Sequence, residues 1–109
     1  MANTFKNKTF NGNSTTANTN MAVYTAPSGT TTVVIGLTLA NTTSSQITAD
    51  IKLAAADTIY LAKDIPIPAG SAFEFFAGNK LIMEAGHAII TQSNTANSLD
   101  TTLSIMEIT

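Results

Sequence analysis

Residues 31–53 read TTVVIGLTLANTTSSQITADIKL. Val33, Ile35, Leu37 and Leu39 alternate with Val34, Gly36, Thr38 and Ala40, a period of two that predicts four large apolar side chains on one strand face. Asn41 to Ser45 follows with short polar side chains that bond their own backbone and tolerate tight dihedrals. Beyond it, Ile47, Ala49, Ile51 and Leu53 point one way, and Thr48, Asp50 and Lys52 the other. Two amphipathic strands around a short polar loop predict an antiparallel hairpin with one buried face. Leu37, Leu39 and Ile51 are expected in the core, with Leu103 and Ile105 of the last strand beside them.

Outward from this stretch the same pattern repeats. Met21 to Thr25 predicts a short strand closed by the turn Ala26-Pro27-Ser28-Gly29. Ala54 to Asp57 is too short for a helix. In Thr58 to Ile65, Ile59 and Leu61 face one way and Tyr60 and Ala62 the other. Ile65-Pro66-Ile67-Pro68 lacks two ladder donors and so belongs away from the middle of a sheet. Phe73, Phe75 and Phe76 form an aromatic strand, with Phe76 as its exposed member and Gly78-Asn79 ending it. Leu81 to Glu84, Ala88 to Gln92 and Leu99 to Ile108 complete about eight strands. With no helix of ordinary length, the fold class is all-β: one antiparallel sandwich, jelly-roll-like because the cysteine pair and tryptophan of an immunoglobulin core are missing.

The sandwich domain spans residues 21–109. Residues 1–20 read as an extended polar arm, rich in Asn and Thr, with only Phe5 and Phe10 for bulk. The two phenylalanines suit anchors on a neighbouring subunit, an oligomer or lattice contact, or a first edge strand flanked by Lys6 and Lys8. We expect the arm to order on assembly, strapping one copy to the next.

Composition excludes several classes. Charged residues make up 11% of the 109-residue chain, the formal net charge is -2, and the five cations are all lysines. Without a cationic stripe or arginine, nucleic acid is not an expected partner. No apolar run reaches the ~18 residues of a membrane span, and the polar N-terminus lacks a secretory apolar region. A surface so poor in charge points to a subunit covered by copies of itself or by a scaffold.

No constellation for catalysis stands out. His87 is the only histidine, no G-x-S-x-G motif accompanies it, and its place after Ala85-Gly86 suits a polar turn residue. One histidine and no cysteine leave a single subunit without a histidine or thiolate metal cluster. The acids Asp50, Asp57, Asp64, Glu74, Glu84, Asp100 and Glu107 fall singly, mostly on the polar face of strands or at turns, and read as solvated strand-face acids. No phosphate-binding glycine loop occurs. Asn7, Asn13 and Asn41 each begin an N-x-Ser/Thr triplet, read as structural in a chain this rich in both residues. Phe76 is the candidate for stacking on a sugar.

Five segments carry a resemblance. They are Ala26-Pro27-Ser28-Gly29, Val34-Ile35-Gly36-Leu37-Thr38-Leu39-Ala40-Asn41, Asp64-Ile65-Pro66-Ile67-Pro68-Ala69-Gly70, Leu81-Ile82-Met83-Glu84-Ala85-Gly86-His87 and Leu103-Ser104-Ile105-Met106-Glu107-Ile108. Their order resembles small β-sandwich virion proteins of tailed bacteriophages, of the capsid decoration (cement) or neck and tail accessory type. That resemblance implies a non-enzymatic, multi-copy virion protein without cofactors, assembled in the host cytoplasm. Its implied partners are itself and the major capsid or neck and tail proteins, with neither nucleic acid nor membrane. The family often has an acid after the Ala-Gly turn where this chain has His87, and no site residue is carried over. A carbohydrate- or receptor-binding module is the alternative, since β-sandwiches host sugar sites on their loops.

Overall fold

A computed structural model describes residues 2–12, 15–76 and 80–109. Its elements are β1 (Asn3–Phe10), β2 (Met21–Thr25), β3 (Thr31–Asn41), β4 (Ile47–Ala54), β5 (Thr58–Ile67), β6 (Ala72–Phe75), β7 (Leu81–Met83), β8 (Ala88–Ser93) and β9 (Leu99–Ile108). They form two antiparallel sheets. One runs β1-β9-β3-β6, with β7 also on β3, and the other runs β2-β8-β4-β5. β6 pairs with Leu37 to Ala40 and β7 with Thr32 to Val34, so the two are pieces of one interrupted strand along a single edge of β3. Counted as one, they leave eight strands among the described residues, and among these β4 to β5 is the only consecutive pair hydrogen-bonded within a sheet. Every other connection crosses between sheets, the jelly-roll arrangement.

The core lies where the inner faces meet. Leu37, Leu39, Ile51, Leu103 and Ile105 are all fully buried, as their alternation predicts. Met21, Ile47, Ile67, Met83 and Ile89 join them. Pro66 lies on β5 at the edge of the four-stranded sheet, opposite Thr48, where a missing donor leaves no central ladder broken.

Two readings of residues 31–53 need correction. β3 and β4 are not a hairpin: they belong to different sheets, and residues 42–46 arch between them. An arch and a hairpin both want two amphipathic strands around a polar loop, so periodicity does not separate them. The single apolar face of β3 is also broken. The β3–β9 register shifts between Val34 and Gly36, a bulge that reverses the facing of the residues before it. Val34 is therefore buried with Leu37 and Leu39, whereas Ile35 stands 39% exposed. Register irregularities between β4 and β5 have a similar effect: Leu61 and Ala62 both pack toward the core, while Ile59 and Tyr60 are exposed.

The N-terminal segment is extended, but its partner is its own chain. β1 pairs with β9 in unbroken register from Asn3↔Ile108 to Phe10↔Thr101, and Ala2 and Thr109 exchange both backbone hydrogen bonds. The strand Asn3–Phe10 thus takes its place in the five-stranded sheet beside β9. Low apolar content suggested otherwise, yet a ladder satisfies backbone groups regardless of side chain. The connection to β2 is stitched down as well. Asn97 N donates to Thr15 O, Asn18 N to Ser93 O, and Gly12 N to Asp100 Oδ1.

Gly12 shows how closely this corner approaches β9. A Cβ there would overlap the Leu99 carbonyl oxygen, a backbone atom that cannot rotate aside. Gly12→Ala is expected to destabilise the fold by about 1–3 kcal/mol, as overpacking does. A urea midpoint equal to that of the unsubstituted protein would show that the corner yields freely.

Candidate docking face

Strand parity sets what each outer face presents. On β1, Phe10 shares the inward parity of Thr101 and packs partly against the core, whereas Phe5 pairs with Met106 and is 72% exposed. Five residues apart on a strand, the two phenylalanines must point to opposite faces. They are therefore not a pair of equivalent anchors.

Phe5 starts a row. It lies opposite Met106 on β9, which lies opposite Val33 on β3, which lies opposite Ile82 on β7. Four apolar side chains thus run straight across the outer face of the five-stranded sheet, with Phe5 and the 56% exposed Ile82 at its ends. Cross-strand neighbours at this spacing touch and cover one another's flanks, which is why Val33 in mid-row is nearly buried on an outer face. The bulge at Ile35 adds a fifth side chain to the ridge. Two shallow depressions flank it, sharing Ile35 and Ser104: one of about 260 Å³ toward Glu74, Phe75 and Phe76, one of about 320 Å³ toward Phe5 and Asn7. The first opens where β6 has ended and β7 has not begun, and a Cβ on Gly36 would meet nothing within 4 Å among the described residues.

Charge is distributed unevenly. On the outer face of the four-stranded sheet, the Lys52 and Lys63 ammonium groups lie 5.2 and 5.3 Å from the centroid of the Tyr60 ring. Asp64 N donates to Asp50 Oδ1. The outer face of the five-stranded sheet carries Glu74 and Asp100, and Lys80 and Glu84, both exposed, bracket Ile82 at the end of the apolar row. Glu74 and Asp100 sit well away from that row, opposite Thr38 and Ala40.

Glu107 departs from the reading of all acids as solvated. It has the inward parity of Leu103 and Ile105 and is buried. Lys6 Nζ meets its Oε1 at 2.8 Å, and the Tyr24 hydroxyl donates to its Oε2 at 2.6 Å while also bonding Thr32 Oγ1. The cluster joins β1, β9, β3 and, across the sandwich, β2. The alternation of Leu99, Leu103 and Ile105 already places position 107 inside, and that is the signal that finds it.

The Lys6 ammonium, and then the Tyr24 hydroxyl, hold the Glu107 carboxyl below the usual carboxylate range against the opposing effect of burial. Burial, reinforced by Glu107, pushes the Tyr24 hydroxyl up to about 12. A carboxyl more acidic folded than unfolded contributes stability in full above its unfolded pKa of about 4.3, and loses it as pH falls through the lower folded value. Tyr24 behaves in the mirror sense: its contribution is full below about pH 10 and fades as pH rises through the folded value. Glu107→Gln should therefore be less stable at neutral pH, and the gap should begin to close below about pH 4 and vanish as pH falls through the lower folded value. Urea melts from pH 7 to pH 2 check this; parallel curves would mean that Glu107 carries no linked proton.

The remaining candidates have local roles. His87 lies in the β7–β8 turn, where its Nδ1 accepts from Glu84 N at 3.3 Å and its own N donates to Glu84 O. Phe76, read as the exposed aromatic, is half-buried. Its positive φ of 64° carries the ring edge-on against Phe75 at 4.6 Å. Asn41 is buried with its amide fully engaged, Asn7 is exposed on β1, and Asn13 lies outside the described residues. No group of three or more metal-ligating side chains comes together among the described residues. Among the described residues, no helix is long and apolar enough to cross a membrane. No family model and no curated protein matches this chain.

Proposed function

We propose that this chain is a non-enzymatic structural subunit of a tailed-phage virion, present in many copies and either decorating the capsid or forming part of the neck or tail. The observation that carries the reading is the two-sidedness of the sandwich. One outer face holds an apolar ridge, and the other sets two ammonium groups, of Lys52 and Lys63, near the ring of Tyr60. A subunit laid onto a lattice needs such a covered face and a hydrated one. The order of the turn and strand motifs, which resembles small virion sandwiches, supplies the particle. Gold-labelled antibody on purified virions tests this: regular labelling of head, neck or tail is expected, and unlabelled particles from a lysate containing the protein would refute it.

A carbohydrate-binding module is the second reading, favoured by the depression where Phe75 and Phe76 meet Glu74. An aromatic edge beside a carboxylate is chemistry that a sugar can use. Binding on a glycan array that is lost in Phe76→Ala would favour this reading over the structural one.

A further inference from the structure

We infer that the outer face of the five-stranded sheet packs on the same face of a second copy, about a two-fold axis running along the row Phe5–Met106–Val33–Ile82. This names a partner for the docking face and rests on the structural reading above.

Three features select a second copy. First, the row is contiguous and self-matching. It crosses β1, β9, β3 and β7 in direct register, so an axis along it lays apolar side chains on apolar side chains, as an isologous interface requires. Second, charge selects both the occupant and the axis. Lys80 and Glu84, both exposed, stand two positions to either side of Ile82, so an axis along the row brings the Lys80 of one copy toward the Glu84 of the other. Glu74 and Asp100 lie opposite Thr38 and Ala40, five and seven positions from Val33 along β3. At ~3.3 Å per residue they stand roughly 16 and 23 Å from the row. An axis along the row reverses the strand direction of the second copy and sends its acids to the opposite end. An axis parallel to the strands would stack acid on acid. Third, the size fits. Four strands ~4.8 Å apart, each about eight residues long, make a face of roughly 500 Å² in projection. Side-chain relief raises the accessible area toward the ~600–800 Å² per partner of a modest stable interface.

The bulge gives the contact its shape. Ile35 is turned outward beside the row, with a depression on each side that can receive the partner's Ile35 or Phe5. Tyr60, the large exposed aromatic of the opposite face, already has two ammonium groups near its ring and is not a comparable anchor.

Sedimentation equilibrium on the full chain tests the inference. The unsubstituted protein should fit a monomer–dimer equilibrium. Phe5→Ser and Ile82→Ser, both at exposed positions, should each keep the circular dichroism spectrum and raise the dimer Kd at least tenfold. Tyr60→Ser on the opposite face should leave it unchanged. A protein that is monomeric at 100 µM, or a dimer indifferent to both Phe5→Ser and Ile82→Ser, or one weakened only by Tyr60→Ser, would overturn it. If the dimer behaves as expected while virions carry no label, the self-association stands and the virion reading fails. If virions are labelled but the protein is monomeric, the reverse holds.

Discussion

Asn41→Leu is expected to lower stability by about 3–5 kcal/mol, because one buried side chain there serves three segments of chain. The Asn41 amide nitrogen donates to Ser45 O at 2.8 Å, Ile67 O at 3.0 Å and Pro68 O at 3.2 Å. Its oxygen accepts from Thr43 N at 2.9 Å and from the Thr43 hydroxyl at 2.7 Å. The residue thereby closes the arch between β3 and β4 and fastens the end of β5 to it. Leucine fills a similar volume but loses the buried bond to the Ile67 carbonyl and leaves the part-buried Ser45 and Pro68 carbonyls without this donor, and a buried unsatisfied group costs about 1–3 kcal/mol. Asn41→Asp separates shape from hydrogen bonding. It is nearly isosteric, yet it sets an acceptor-only group against three carbonyl oxygens, so it should be at least as damaging as leucine at pH 7. Urea midpoints with unchanged slope are the measurement. A leucine variant as stable as the unsubstituted protein would mean that the arch is held by other contacts.

Leu39→Ala is expected to cost about 2–5 kcal/mol through lost burial and the cavity left behind. Leu39 is fully buried beside Leu37 and Leu103, between two sheets that both have to move to close the gap. Ile35→Ala is the matched control on the same strand. Because the bulge turns Ile35 outward, its truncation should cost under about 1 kcal/mol in the isolated subunit. Equal losses at the two positions would place Ile35 in the core and remove the bulge.

Much of the fold is legible in the residues. Period-two alternation fixes which side of each strand is buried, since a slip by one residue would expose a whole apolar row. That is why Leu37, Leu39, Ile51, Leu103 and Ile105 are found inside. Pro66 on an edge strand follows from a missing donor, and the turn at Pro27 to Gly29 follows from a fixed and a positive φ. Taken to its end, the same alternation puts Glu107 in the interior.

Which strand lies beside which is a different kind of information. Alternation is a property of one strand, and it reads the same whether the partner is the next strand in the chain or one far along it. Hence residues 31–53 look like a hairpin but form an arch, with β3 bonded to β9 and β4 to β5 and β8. Composition likewise measures side chains, whereas β1 is held chiefly by its backbone ladder and by Lys6 on Glu107. The docking row exists only once four strands are in register, because Phe5, Val33, Ile82 and Met106 are scattered through the chain. The sequence by itself determined a two-sheet sandwich and the residues of its core, because burial acts on each strand separately. Only the tertiary structure decided the jelly-roll order, the bulge that turns Ile35 out and the apolar row, because these depend on hydrogen bonds between strands that sequence proximity does not specify.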